Sequence, residues 1–237
     1  MKLAIMQPYF MPYIGYFSLI KKVDEFMLFD TPQFMRKGWI ERNRIAKLGG
    51  GESYIKVPLI KASLNTPINE MFINNDINWK DKILSQLQIY KKRSPYYKDV
   101  IDVIDASIII NKEKISELNR HSLQVICDYL GVDTKISVFS DYSFSKEINN
   151  ISPDEWALEI CKKKKCYSYI NAIGGKDFFD TDKYISNGID IKFIEHENIE
   201  YRGLEGEINS NLSILDILMY NSPEEINKML DNSRLIK

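Results

Sequence analysis

Histidine is nearly missing from this 237-residue chain: His121 and His196 are the only two. A zinc site built on imidazole would therefore need an unusual ligand set. Cysteine is scarce as well. Cys127, Cys161 and Cys166 are odd in number and lack framework spacing, which argues against a secreted disulfide scaffold. Cys161 and Cys166 flank a run of lysines, unlike a C-x2-C metal pair. No metal and no cofactor is expected. No run approaches the roughly 18 apolar residues of a membrane span. The opening Met-Lys-Leu-Ala-Ile-Met-Gln-Pro lacks the longer apolar core and small-residue cleavage site of a signal peptide, so a cytoplasmic protein is expected. Charge is balanced at a formal net of -1, so the chain as a whole is no electrostatic magnet for nucleic acid or anionic membrane. There is no G-x-G-x-x-G, no P-loop and no G-x-S-x-G elbow, and covalent nucleophilic catalysis is unsupported. Cys127, on a helix among apolar residues, suits a core thiol.

What is present is enough for a real core. Hydrophobic residues make up 44% and aromatics 12%. The length suits one domain over residues 1–237, with residues 79–131 as a candidate helical subdomain. Apolar runs at 2–6, 25–30, 53–60, 135–139, 167–171 and 189–194 read as strands. Helical spacing joins Trp79, Ile83, Leu84, Leu87 and Tyr90. Ser94-Pro95 reads as the start of a second helix, with an inward face of Tyr97, Ile101, Ile104 and Ile108. A third runs from about 113 to 130 and stops at Gly131. Ser152-Pro153-Asp154-Glu155 reads as a capping box before Trp156 and Ile160. Leu212 to Met219 looks helical, and Ser222-Pro223-Glu224-Glu225 caps one more helix. Short strands alternating with helices predict an α/β fold with a mixed, mainly parallel sheet flanked by helices, carrying a helical insertion.

The segment Gln7-Pro8-Tyr9-Phe10-Met11-Pro12-Tyr13-Ile14-Gly15-Tyr16-Phe17 follows the first strand. Pro8 and Pro12 lack an N–H and restrict their predecessors, so this cannot be a regular element. It lies beyond a strand's carboxyl end, where α/β proteins bind ligands. A well-packed hydrophobic loop is the competing reading. A polar cluster follows the second apolar run: Asp30, Gln33, Arg36, Lys37, Trp39, Asn43 and Arg44. Arg36 and Arg44 suit a diphosphate or carboxylate through bidentate bonds. Asp30, Gln33 and Asn43 suit hydroxyls or an amine. Trp39 or Tyr13 can stack on a sugar or base. His196, inside Glu195-His196-Glu197, is a candidate general base raised by its carboxylate neighbours. Asn171 with Gly174-Gly175 marks another strand-end turn that lets a ligand approach the backbone. Asp180 and Asp182 form a D-x-D inside a polar turn, a pattern chance readily supplies. Lys162 to Lys165 reads as a solvated helix end.

Met6-Gln7-Pro8-Tyr9-Phe10-Met11-Pro12-Tyr13-Ile14-Gly15-Tyr16-Phe17 resembles the opening motif of the WbqC-like family. So do Phe29-Asp30, Gln33-Phe34, Lys37-Gly38-Trp39 and Arg42-Asn43-Arg44. Tyr169 to Gly175, Tyr184 and Leu212-Ser213-Ile214-Leu215-Asp216 look similar to later family blocks. Many members begin the first block with His-Gln-Pro; Met6 stands there in this chain, so no histidine role carries over. The resemblance implies bacterial surface-polysaccharide biosynthesis and the addition of an acyl or aminoacyl group, glycine for example, to an amino sugar. The expectation is an N-acyltransferase forming an amide on a nucleotide-linked amino sugar. Its partner substrate would be an activated acyl donor, a thioester or an aminoacyl-tRNA. Asp30 or His196 would serve as base, and Asn43, Gln33 or backbone N–H groups as oxyanion donors. Gln7, Tyr9, Tyr13, Gln33, Arg36, Trp39, Arg44, Asn171, Gly174 and Gly175 would bind substrate. A non-catalytic sugar-nucleotide-binding accessory protein and a glycosyltransferase stand as alternatives. The apolar helix faces of 79–130 suit an oligomer as readily as a core.

Overall fold

The computed structural model describes residues 1–109, 113–148, 151–196, 201, 203–204 and 211–237. Strand β1 (Lys2–Met6) forms because its apolar residues alternate between two buried faces: Leu3 and Ile5 point one way, Ala4 the other. It pairs in parallel with β2 (Glu25–Leu28) on one side and β6 (Ser168–Ala172) on the other. Strands β3 (Arg42–Ala46) and β4 (Glu52–Lys56) form a separate antiparallel hairpin. The sheet continues with β5 (Lys135–Val138), β7 (Asp190–His196) and β8 (Ser233–Ile236), in the order β5-β2-β1-β6-β7-β8. All its pairings are parallel except β7 with β8. The mixed, mainly parallel α/β sheet expected from the sequence is therefore the fold.

Helices cover both faces, as a parallel sheet requires. Helix α1 (Ile14–Lys21) crosses from β1 to β2, and Phe17 and Ile20 are fully buried on it. Burying one such side chain stabilises the fold by roughly 1.5–3 kcal/mol. Helices α2 (Trp79–Gln86), α3 (Tyr97–Ile108) and α4 (Ile115–Leu130) follow. Their Trp79, Ile104 and Leu118 share one continuous core with Ala4 and Phe26 of the sheet. The helices of 79–131 thus pack on the common core. Beyond β5 come α5 (Ser145–Ile148), α6 (Trp156–Lys164) and α7 (Thr181–Ser186). Leu158, Ile160 and Tyr184 meet Leu3, Met27 and Phe193 on the opposite face. Finally α8 (Ile214–Tyr220) and α9 (Pro223–Asp231) return to the first face.

Several local expectations need correction. The polar stretch Arg42-Asn43-Arg44 is itself a strand, because Asn43 and Ile45 point inward while Arg42 and Arg44 pair outward against Lys56 and Tyr54. Ser94 caps no helix; its hydroxyl donates to Met219 O, and α3 begins at Tyr97. The buried face of α3 is Val100, Ile104, Ser107 and Ile108, with Tyr97 and Ile101 at its margin. Ser152 contacts Asp154, and Pro153–Glu155 form a 3-10 turn without a side-chain cap. The box at Ser222 and Glu225 forms as expected. So does the left-handed stop at Gly131, φ 67°. Strand β8 carries no apolar run that would announce it. At the amino end of β2, away from the carboxyl ends of the strands, buried Glu25 accepts from Ser137 Oγ (2.7 Å) and Tyr142 Oη (2.8 Å) and pairs with Lys164 (3.0 Å). Among the described residues, no helix is long and apolar enough to cross a membrane.

Candidate functional site

From β1 the chain moves through α1 to β2 on one side, and later returns to β6 on the other. That reversal leaves a crevice beyond the carboxyl ends of β1 and β6, where open α/β sheets bind ligands. A cleft of about 460 Å³ occupies this place, lined by Tyr9, Tyr13, Trp39, Arg44, Asn171 and Gly174 among others. Its walls come from the loop after β1, the hairpin strand β3 and the turn after β6.

The loop after β1 is fixed through its carbonyl groups. Asn119 Nδ2 of α4 donates to Pro8 O (2.8 Å) and Ile40 O (2.9 Å). Asn43 Nδ2 donates to Phe10 O (3.1 Å) and Met11 O (2.8 Å). Ser213 Oγ, at the cap of α8, donates to Met11 O (2.7 Å). Among the described residues these carbonyls have no other partners. They also hold Met11 at φ 43°, a left-handed conformation unusual for a residue with a side chain. The aromatic run divides accordingly. Phe10, Met11, Tyr16 and Phe17 are core, while Tyr9 and Tyr13 face the cleft. Burial raises the Tyr9 phenol, and burial with the neighbouring Tyr9 raises Tyr13, so both stay protonated near neutrality and offer O–H groups.

Among the described residues lining the cleft, Arg44 is the cation. Its Nη1 pairs with Glu52 (2.7 Å), Nη2 donates to Asn211 O (3.2 Å), and the guanidinium lies 5.1 Å above the half-exposed Trp39 ring. This sandwich presents a planar donor beside a stacking surface at the cleft. Across from it, Asn171 Oδ1 accepts from Ala172 N (2.7 Å) while Nδ2 donates to Tyr169 Oη (2.7 Å). A Cβ on Gly175 would sit 3.3 Å from both Asn171 Oδ1 and Phe179 Cε2, so glycine permits this close approach; a Cβ on Gly174 would meet nothing.

The remaining candidates are committed to other partners or lie outside the cleft. Asn43 lines the cleft, but its amide is committed to Phe10 and Met11 and its Oδ1 to Arg44 N (2.8 Å). It is a brace, which corrects its expected role as an oxyanion donor. Arg36 is exposed and donates to Ala62 O (3.1 Å), so Arg36 and Arg44 form no common clamp. Gln33 is exposed and donates to Leu64 O (2.7 Å). Both sit on the long connection between β2 and β3, and neither lines the cleft, although Trp39 of the same connection does. Asp30 is buried in a separate polar cavity of about 390 Å³ at the ends of β2 and β5. Burial raises its carboxyl against bonds from Ser140 N (3.1 Å) and Oγ (2.6 Å). Gln7 lines a third recess beside the cleft.

His196 is the last residue of β7, and Glu197 lies outside the described residues. A Cβ on Gly15 would lie 2.4 Å from Tyr13 Cε2 and 3.2 Å from His196 Cδ2, so both rings lie over that glycine. Neither imidazole nitrogen has a partner among the described residues. Burial, then Lys22, lowers its pKa, the opposite of the shift expected from carboxylate neighbours. Glu195 is instead drawn to Arg234 (2.7 Å). Asp180 caps α7, accepting from Asp182 N and Lys183 N, which explains the D-x-D without a metal. No group of residues able to hold a metal ion occurs among the described residues.

Sequence reading missed Asn211, which lines the cleft, and the tethers Asn119 and Ser213. Single polar residues distant in the chain carry no spacing signal. Ser213 and Asp216 stood in the family-like Leu212-to-Asp216 run without a role; Asp216 is buried between Tyr90 Oη and Tyr201 Oη (2.6 Å each). The Leu212-to-Asp216 run is thus scaffolding: Ser213 N also donates to Arg44 O and Ile214 N to Pro12 O, both at 2.8 Å.

Comparison with known proteins gives a family for the chain. The model of the WbqC-like protein family matches residues 7–228, a span that includes the loop, the hairpin and the α8 brace. A protein of Mycobacterium tuberculosis (strain ATCC 25618 / H37Rv), described as uncharacterized protein Rv1507c, is 28% identical over 221 residues, covering 92% of each chain. No solved structure matches the chain.

Proposed function

The chain belongs to the WbqC-like protein family, and from that premise and the cleft's geometry we propose that it is an N-acyltransferase forming an amide on a nucleotide-linked amino sugar. The observation that carries this reading is the cleft at the strand-order reversal, with Arg44 stacked on Trp39 and protonated Tyr9 and Tyr13 beside it. Arg44 takes the diphosphate, exchanging Glu52 for phosphate oxygens. Trp39 offers its face to a base or sugar ring, and the tyrosine hydroxyls meet sugar hydroxyls. The free amine of the sugar attacks an activated carbonyl, and the amine nitrogen loses a proton as the C–N bond forms and the donor's leaving group departs. His196 takes that proton in this reading: burial keeps it neutral near pH 7, its nitrogens lie buried just outside the described lining, and its ring adjoins Tyr13 over Gly15, so Tyr13 must move for the base to reach the cleft. The acyl group arrives already activated, as a thioester or aminoacyl-tRNA. The setting we propose is the bacterial cytoplasm, in surface-polysaccharide synthesis.

The test mixes purified protein with a panel of nucleotide-linked amino sugars and both donor classes, and products are weighed by mass spectrometry. Amide products lost in His196→Ala, with Arg44→Met raising KM, support the reading. A folded protein giving no amide across the panel overturns it. One observation favours a second reading, a non-catalytic sugar-nucleotide-binding protein. No carboxylate, thiol or imidazole is among the described residues lining the cleft. In that case nucleotide-sugars would bind with Arg44 dependence, and His196→Ala would change nothing.

A further inference from the structure

Beside the cleft, on the other face of the sheet, lies a recess of about 200 Å³. Its wall is apolar: Ile5, Phe29, Trp156, Ala157, Ile160 and Phe179. Ile5, Phe29, Ala157 and Ile160 belong to the α6-side core, with Trp156 and Phe179 packed against it, and the recess they line opens to solvent. The volume equals roughly six or seven liquid-water shares. Gln7 and Asn171 bring polar atoms to this otherwise apolar wall, and Asn171 lines both the recess and the cleft. The side-chain alternation of β1 explains the arrangement. Met6 faces the cleft, whereas Ile5 faces the recess, so one strand end serves both. Tyr169 also lines the recess; its hydroxyl accepts from Asn171, and no acceptor for its own hydrogen occurs among the described residues.

We infer that this recess receives the short, uncharged, apolar tail of the acyl donor while the sugar occupies the cleft, an assignment that rests on the acyl-transfer reading above. Water in such a recess has few polar partners, and a chain of a few methylenes replaces it favourably. The nearby amides of Gln7 and Asn171 and the Tyr169 hydroxyl suit the carbonyl that joins tail to leaving group. A highly charged donor tail is excluded, because no cationic or anionic side chain is among the described lining residues. Gly175 supports the same boundary: its missing Cβ lets the turn after β6 close against Asn171 and Phe179.

The experiment needs no turnover. The full chain, labelled at Ile δ1 and Ala methyls, is titrated with propanamide, butanamide and hexanamide and followed by NMR. The expected result is saturable shifts at Ile5, Ala157 and Ile160. Each added methylene should tighten binding by about fourfold until the recess is full. Ala157→Phe fills the recess and should abolish the shifts at Ile5 and Ile160. Should that variant fail to fold, nuclear Overhauser contacts from the hexanamide chain to the Ile5 and Ile160 methyls of the unaltered chain decide the matter. Absence of shifts at these methyls up to the solubility limit, or shifts confined to other residues, overturns the proposal. Binding here with no amide formed across the donor panel would instead count against acyl transfer itself. The recess would then stand as an apolar receptor, and its acyl assignment would fall.

Discussion

Replacing Asn43 by alanine separates two roles that its amide cannot fill together. The structure commits Nδ2 to Phe10 O and Met11 O and Oδ1 to Arg44 N. A buried bond of this kind contributes about 1 kcal/mol net, and leaving a buried carbonyl unpaired costs about 1–3 kcal/mol. Met11 O keeps Ser213 Oγ, whereas Phe10 O keeps no partner among the described residues. The expected loss is about 3 kcal/mol, read as a fall in the urea midpoint at unchanged slope. Thermal melting should drop by about 6–12 °C for a chain of this size. Asn43→Asp refines the test. It keeps the acceptor for Arg44 N but sets a carboxylate oxygen against two carbonyls, so it should be worse than alanine at neutral pH and recover in acid. Because Asn43 and Ser213 share Met11 O, Ser213→Ala should couple to Asn43→Ala in a double-mutant cycle. An oxyanion donor behaves differently: stability would hold and turnover would fall about 10²–10³-fold. Less than about 0.5 kcal/mol of destabilisation in Asn43→Ala would refute the brace.

Burial would raise the Glu25 carboxyl, but bonds from Ser137, Lys164 and Tyr142 hold it below the ordinary carboxylate range. Its contribution is therefore full at neutral pH and lost as pH falls through that lowered value; Glu25→Gln should cost about 3 kcal/mol at pH 7, and its unfolding curve should converge on the wild type in acid. Gly15→Ala drives a methyl into the Tyr13 ring, so Tyr13 must swing, and calorimetry should show nucleotide-sugar affinity falling more than stability does. Asp180→Ala removes the α7 cap and should cost about 1 kcal/mol, while Mn²⁺ leaves the melting of either protein unchanged.

The architecture was legible where one face of an element decides its type. Leu3, Ala4 and Ile5 alternate, Gly131 marks a helix stop, and Ser222 with Glu225 announces a helix start. The cleft was legible in half, because Tyr9, Tyr13, Trp39 and Arg44 converge at adjoining strand ends. Asp30, Gln33 and Arg36 were grouped with them by nearness along the chain. Chain proximity misleads here, since β2 lies on the far side of β1 from β6 and its end opens into another cavity. Asn43 had the right place and the wrong role, because a residue type that suits an oxyanion equally suits orphan carbonyls. His196 looked raised by its flanking acids, but Glu195 turns to Arg234 and burial sets the sign. Asn119 and strand β8 gave no signal, and Ser213 stood only inside a family-like block without a role, because tertiary partners define all three.

The tethers of the loop after β1 bear on how the protein folds. They span 33, 111 and 202 residues of chain. Contacts of such separation close large loops, and their entropy cost falls before any bond rewards it. The loop can reach its final shape only after the hairpin, α4 and α8 have docked. Ligand affinity is then a late reporter of assembly, rising with the last stage of refolding after secondary structure has formed. By mass action, a ligand held in the cleft would stabilise the sheet, the hairpin and α8 as one cooperative body.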